Sequence, residues 1–167
     1  MLKKHFGAFK DTIKKLFSLK DTPHAIAGGV AIGIFMGFTP LFGFKTLLSL
    51  GFAYLLRCNP VAAVIAVSLH DVFILFVPFL LRMEYDLGYW LLSNPHTLPQ
   101  KFSANRMLEG LHWDFRHWKN FLRYGPPVLL GSLFLSTPTA IISYYLSLGI
   151  VKRVQARRAQ HEADKEK

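Results

Sequence analysis

Between Pro23 and Leu81 the chain runs for 59 residues with only three full charges, Lys45, Arg57 and Asp71. About a quarter of the residues of an ordinary soluble domain are Asp, Glu, Lys or Arg. A water-soluble protein cannot leave so long a stretch almost uncharged and stay dispersed. The stretch asks for lipid, and the fold class it predicts is an all-α membrane protein. Its expected parts are a broken, re-entrant hairpin, transmembrane helices and amphipathic surface helices. With 167 residues in total there is material for one compact unit.

The charge that is missing from the middle collects at the ends. Residues 1–22 hold six lysines against Asp11 and Asp21, and residues 151–167 hold six Lys or Arg against three acids, within a net charge of +10. Basic segments that flank apolar ones stay on the cytoplasmic side. Both termini are therefore expected in the cytoplasm of a bacterium, with the chain in its inner membrane. No groove-reading motif appears, so nucleic acid is not an expected partner. Cys58 is the one cysteine, which excludes an intrachain disulfide and a cysteine metal site. No metal or other cofactor is expected. The first apolar run starts near Ala25, behind the basic stretch, and lacks the cleavage pattern of a signal peptide.

Leu2, Phe6, Phe9, Ile13, Leu16 and Phe17 fall on one face of a helix whose other face is lysine-rich. Residues 1–22 thus read as a basic amphipathic helix on the anionic leaflet. Residues 23–150 read as a multi-pass membrane domain and 151–167 as a basic, charged cytoplasmic tail. Thr22 and Pro23 have the chemistry of a helix start. Gly29, Gly33 and Gly37 line one face of the helix that follows, where another helix can approach closely. Thr39-Pro40-Leu41-Phe42-Gly43 should break that helix, and residues 46–56 should return. Each half has about 14–16 helical residues, roughly 21–24 Å, against a hydrocarbon core of about 30 Å. Residues 25–56 hence read as a re-entrant hairpin rather than two spans. Residues 61–81 are long enough to span, and 82–120 are more polar, with a surface helix suggested by Met107, Leu108, Leu111, Phe115, Trp118 and Leu122. Residues 125–150 are the last apolar run, with interruptions expected at Pro126-Pro127 and Thr137-Pro138.

Laying residues 30–51 on 128–149 without gaps matches eight of 22 positions, including Thr39-Pro40 on Thr137-Pro138 and Leu48-Ser49-Leu50-Gly51 on Leu146-Ser147-Leu148-Gly149. Two broken apolar units in corresponding places suggest a transporter-like repeat with a site at the breaks; the alternative is a coincidence of two Leu- and Gly-rich helices. An inverted second hairpin would leave the C-terminus outside. The basic tail argues for inside, so residues 125–150 are read as crossing the membrane.

The ordered set Pro23, Ile26, Ala27, Gly29, Ala31, Gly33, then Pro40 and Gly43, then Arg57 and Asn59 resembles the bacterial DUF2062 family. The resemblance covers roughly residues 20–150, and Tyr85-x-Leu87-Gly88 fits it again. His70-Asp71 departs from the Asn-Pro pair common in that family's next helix. The resemblance implies a multi-pass bacterial membrane protein and brings no established activity.

Two constellations can carry chemistry. Gly43, Lys45 and Thr46 open a helix whose free N–H groups and partial positive charge suit an anion; with Arg57 they form a candidate site for a lipid phosphate or another anionic head group. The alternative is a Lys45 that only snorkels to the interface. His70 and Asp71 sit within an apolar run, where a charge costs about 2.5–3.5 kcal/mol on insertion scales. They form a candidate proton relay or, alternatively, a structural clasp. Thr39, Pro40, Thr137 and Pro138 mark the expected breaks. No hydrolase or metalloprotease motif occurs, and an enzyme is not expected. The expected role is transport or handling of an anionic lipid or other anionic envelope intermediate, with membrane lipids and their anionic head groups as partners and a homo-oligomer to complete a path. The alternative is a non-catalytic scaffold for an envelope enzyme complex.

Overall fold

The computed structural model describes residues 21–40, 44–71, 77–94 and 118–165, with the side chains of 71, 77, 118–124 and 162 excepted. The expected interfacial helix at 1–22 and most of the expected surface helix at 107–122 lie outside the described residues. Among those described there are five helices and no strand: α1 Pro23–Phe38, α2 Lys45–Leu55, α3 Pro60–Asp71, α4 Val77–Leu92 and α5 Trp118–Lys165.

The first helix begins where its cap chemistry dictates. Thr22 is extended and its hydroxyl accepts from the Ala25 amide at 3.2 Å, with Pro23 next in line. It ends at Thr39, which is held extended (ψ 130°) ahead of Pro40, because a residue before proline is pushed out of the helical region. Pro40 is buried. The break is therefore as expected at the two described positions; residues 41–43 lie outside them. The chain resumes as α2 and folds back, so that α1 and α2 form a hairpin.

The foot of the hairpin is tied. α2 ends in a Schellman turn: Cys58 N–H donates to Ala53 C=O at 2.8 Å and Arg57 N–H to Tyr54 C=O at 3.2 Å. Arg57 occupies the left-handed position, φ 55°, where glycine is usual. Asn59 then caps α3, its Oδ1 accepting from Ala62 N–H at 2.8 Å, while its Nδ2 donates to Asp21 Oδ2 at 3.0 Å and its backbone N–H to Ala25 C=O at 2.9 Å. Gln155 Nε2 of α5 donates to the Asp21 carbonyl at 2.8 Å. The start of α1, the α2–α3 turn and the basic part of α5 thus share one end of the bundle, the basic end.

Helix directions follow from the glycines. Gly29, Gly33 and Gly37 of α1 face Asn59 and Ala62, Ala63 and Ala66, and His70 in that order, so α1 and α3 run parallel away from the basic end. A Cβ at Gly33 would collide with the Ala63 carbonyl oxygen. Gly88 meets Pro127, and Gly131 meets Glu84, so α4 and α5 run antiparallel. α5 returns the chain to the basic end. Ile26, Val30, Ala62, Ala66 and Val151 form the core where α1, α3 and α5 meet.

Two sequence expectations are corrected. Thr137-Pro138 does not break a helix: α5 is continuous for 48 residues with Pro126, Pro127 and Pro138 inside it. The neighbouring hydroxyls fold back on the ladder, Thr137 to Leu133 C=O at 2.7 Å and Thr139 to Leu135 C=O at 2.8 Å, which helps a helix carry a proline. The two aligned segments therefore differ: 30–51 contains a break and 128–149 does not. Secondly, the packed apolar region does not stop at residue 81. α4 continues to Leu92 and buries Leu81, Glu84, Tyr85 and Gly88.

In α2 and α5 the distribution of side chains is inverted relative to a water-soluble fold. α2 buries Lys45, Ser49 and Ala53 and exposes Phe44, Leu47, Leu50, Phe52, Tyr54 and Leu55. α5 buries Ser132, Ser136 and Ser147 and exposes Leu133, Phe134, Ile141, Ile142, Tyr145 and Leu146. Among the described residues, α5 is the one helix long and apolar enough to cross a membrane, and only 17% of its most apolar 18-residue window is buried. The core helix of a soluble protein would have that window covered.

Candidate functional site

The break of the hairpin closes over a small cavity. Gly37, Phe38, Thr39 and Pro40 line it from the end of α1, Lys45 from the first turn of α2, His70 from the last turn of α3, and Leu80, Leu81 and Glu84 from α4. Its volume is about 20 Å³, room for about one water molecule. Lys45 is 9% exposed and Glu84 2%. The His70 ring stacks at a tilt on Phe38, centroids 5.0 Å apart. Three ionisable residues from three helices thus line one small cavity.

Of the residues singled out from sequence, Thr39, Pro40, Lys45 and His70 are brought together here. Gly43 lies outside the described residues. Asp71 ends α3, and its side chain is likewise outside. Thr46 is exposed. Arg57 lies just beyond the far end of α2, a helix whose rise alone is about 15 Å, and it caps that helix rather than completing a site with Lys45. Thr137 and Pro138 are exposed on α5 and do not line the cavity, so the two Thr-Pro pairs share no common chamber.

Glu84 is the residue that sequence reading passed over. Arg82, Glu84 and Asp86 look together like the polar start of a surface segment. Arg82 and Asp86 indeed pair on the outer side, Nε to Oδ2 at 2.6 Å. The signal for Glu84 is spacing: Leu81, Glu84, Tyr85 and Gly88 lie on one helical face, and that face is the buried one. Oε2 of Glu84, Oγ of Ser49 and the second carboxylate oxygen of Asp86, Oδ1, are buried without a hydrogen-bond partner. Ser49 lies one turn after Lys45 on the same inward face of α2.

Among the described residues no group of three His, Cys, Asp or Glu could hold a metal ion. The arrangement sets ionisable side chains from three helices around one small, partly open cavity, where a proton can be exchanged. Fold and site together define an all-helical protein with a broken hairpin, a membrane-length helix and an ionisable cluster buried at the break.

The family model for an uncharacterized protein conserved in bacteria, DUF2062, matches residues 7–160, and the chain belongs to that family. No curated protein and no solved structure matches it.

Proposed function

We propose that this is a multi-pass protein of the bacterial inner membrane that transports or handles an anionic lipid or another anionic envelope intermediate at the break of a re-entrant hairpin. The observation that carries the reading is the inverted α2. A helix that turns Lys45 inward and Phe and Leu outward has the arrangement expected in lipid, where buried ionisable residues serve function by default. Counting the directions of the helices, α3 and α4 make one crossing away from the basic end and α5 makes the crossing back. The hairpin enters and leaves on the basic side. Lys45 and Thr46 at the start of α2 would meet the anionic group, and the positive helix end adds to the attraction. A phosphate does not fit in about 20 Å³, so binding would require α2 to move away from α3 and α4. Arg57 and the α5 cations belong to the basic end and would meet head groups there.

The test is Lys45→Gln in nanodiscs of anionic and of zwitterionic lipid. The variant should stay folded and inserted and lose preference for anionic lipid; unchanged preference removes Lys45 from the reading. The tightness of the cavity favours a second reading, a non-catalytic scaffold for an envelope enzyme complex. In that case Lys45→Gln would leave lipid preference unchanged while copurification of partner proteins persisted.

A further inference from the structure

α4 treats Arg82, Glu84 and Asp86 in two ways. Arg82 and Asp86 neutralise each other on its outer side. Glu84 turns inward, 2% exposed, into the cavity that Lys45 and His70 also line. Its Oε2 has no hydrogen-bond partner. The main chain cannot easily carry this carboxyl elsewhere, because Gly131 of α5 packs directly on the Glu84 carbonyl and leaves no space even for a Cβ. An ionised carboxylate without a close partner is strongly disfavoured in such a place, and a proton removes the difficulty. Among the described residues, the titratable groups that line the cavity with it are Lys45 from α2 and His70 from α3; α1 contributes Gly37, Phe38, Thr39 and Pro40, and no α5 residue takes part.

We infer that Glu84 is a proton-carrying site built into the hairpin break, with Lys45 as the charge that balances it once the proton has left. In the closed arrangement seen here the carboxyl keeps its proton. When α2 shifts and Lys45 approaches, the O–H bond of Glu84 breaks and the proton passes to the cavity water. It leaves through that water or by way of a His70 ring nitrogen. The carboxylate left behind is neutralised by the Lys45 ammonium, so the pair carries one positive charge while Glu84 holds its proton and none once the proton has left. The proton is the only species exchanged, which suits a space for about one water. What the proton exchange drives rests on the membrane-transport reading; the exchange itself does not.

Infrared difference spectroscopy of the purified full chain in detergent reads the site directly, through the carbonyl stretch of a protonated carboxylic acid during a pH titration. The wild type should show that band at neutral pH and lose it on alkaline titration. Glu84→Gln, which keeps the shape of the neutral acid, should lack the band, and Asp86→Asn should keep it. Lys45→Gln should shift the loss of the band to higher pH, because the balancing charge is gone. No band in the wild type, a band that survives Glu84→Gln, or a titration unmoved by Lys45→Gln would overturn the inference. Its failure is separable from that of the anionic-lipid reading. A missing band with lost lipid preference in Lys45→Gln sinks the proton site alone; a band with unchanged preference sinks the lipid site alone.

Discussion

Arg57 has a backbone role that its cationic side chain does not announce. Its cationic side chain near a helix end suggested an anion site, yet its backbone is what the fold uses, in the left-handed cap of α2. A side chain there costs about 1–2 kcal/mol. Arg57→Gly should therefore be more stable than Arg57→Ala by about 1 kcal/mol, measured by thermal unfolding in detergent. Asn59 beside it has two bonds to lose, to Ala62 N–H and to Asp21. The glycines differ among themselves in the same physical terms. Gly33→Val should destabilise by about 1–3 kcal/mol through overpacking, since Ala63 and Ala66 already touch the site. Gly51 and Gly149 have nothing within 4 Å, so Gly51→Ala should instead gain up to about 1 kcal/mol of helix propensity. Equal effects at Gly33 and Gly51 would contradict the packing of α1 on α3.

At the scale of elements, the same dipeptide has two outcomes. Thr39-Pro40 ends α1, and Thr137-Pro138 lies within α5. Local propensity is nearly the same in both, so the surroundings decide. After Pro40 the chain is turned back against α3 and α4, while around Pro138 the helix continues and adjacent hydroxyls bond to its carbonyls. Pro138→Ala should leave topology unchanged and stabilise α5 modestly, because it restores a backbone donor. Pro40→Ala should disturb the cavity and the positions of Lys45 and His70. Hydrogen exchange at the start of α2 measures the contrast, with faster exchange expected only for Pro40→Ala.

At the scale of the molecule, the clasp of Asp21 with Asn59 and Gln155 puts the beginning of α1 and the end of α5 on one side. Of the two basic segments of the sequence, the one in α5 lies on that side and the other runs, in sequence, into Asp21. Single cysteines placed at His5 and Gln160 should hence resist labelling from outside intact cells, and one at Gln100 should label. Labelling at residue 5 or 160 without permeabilisation would exclude the proposed topology. Cys58 gives little background, since burial pushes its thiol up and so lowers the reactive thiolate fraction.

The apolar stretch, the caps at Thr22-Pro23, the break at Thr39-Pro40 and the glycine face of α1 were legible in the sequence because each depends on residues within a few positions of one another. Charge patterning likewise separated the basic ends from the apolar middle. The extent of α4 was not legible, because Arg82, Glu84 and Asp86 look alike until a neighbouring helix covers one face and leaves the other open. The continuity of α5 was hidden for a related reason: a proline ends a helix or is carried by it according to what packs around it. The meeting of Lys45, His70 and Glu84 was decided by tertiary structure alone, since it takes three helices, running in directions set by close glycine contacts, to bring residues 45, 70 and 84 to one point.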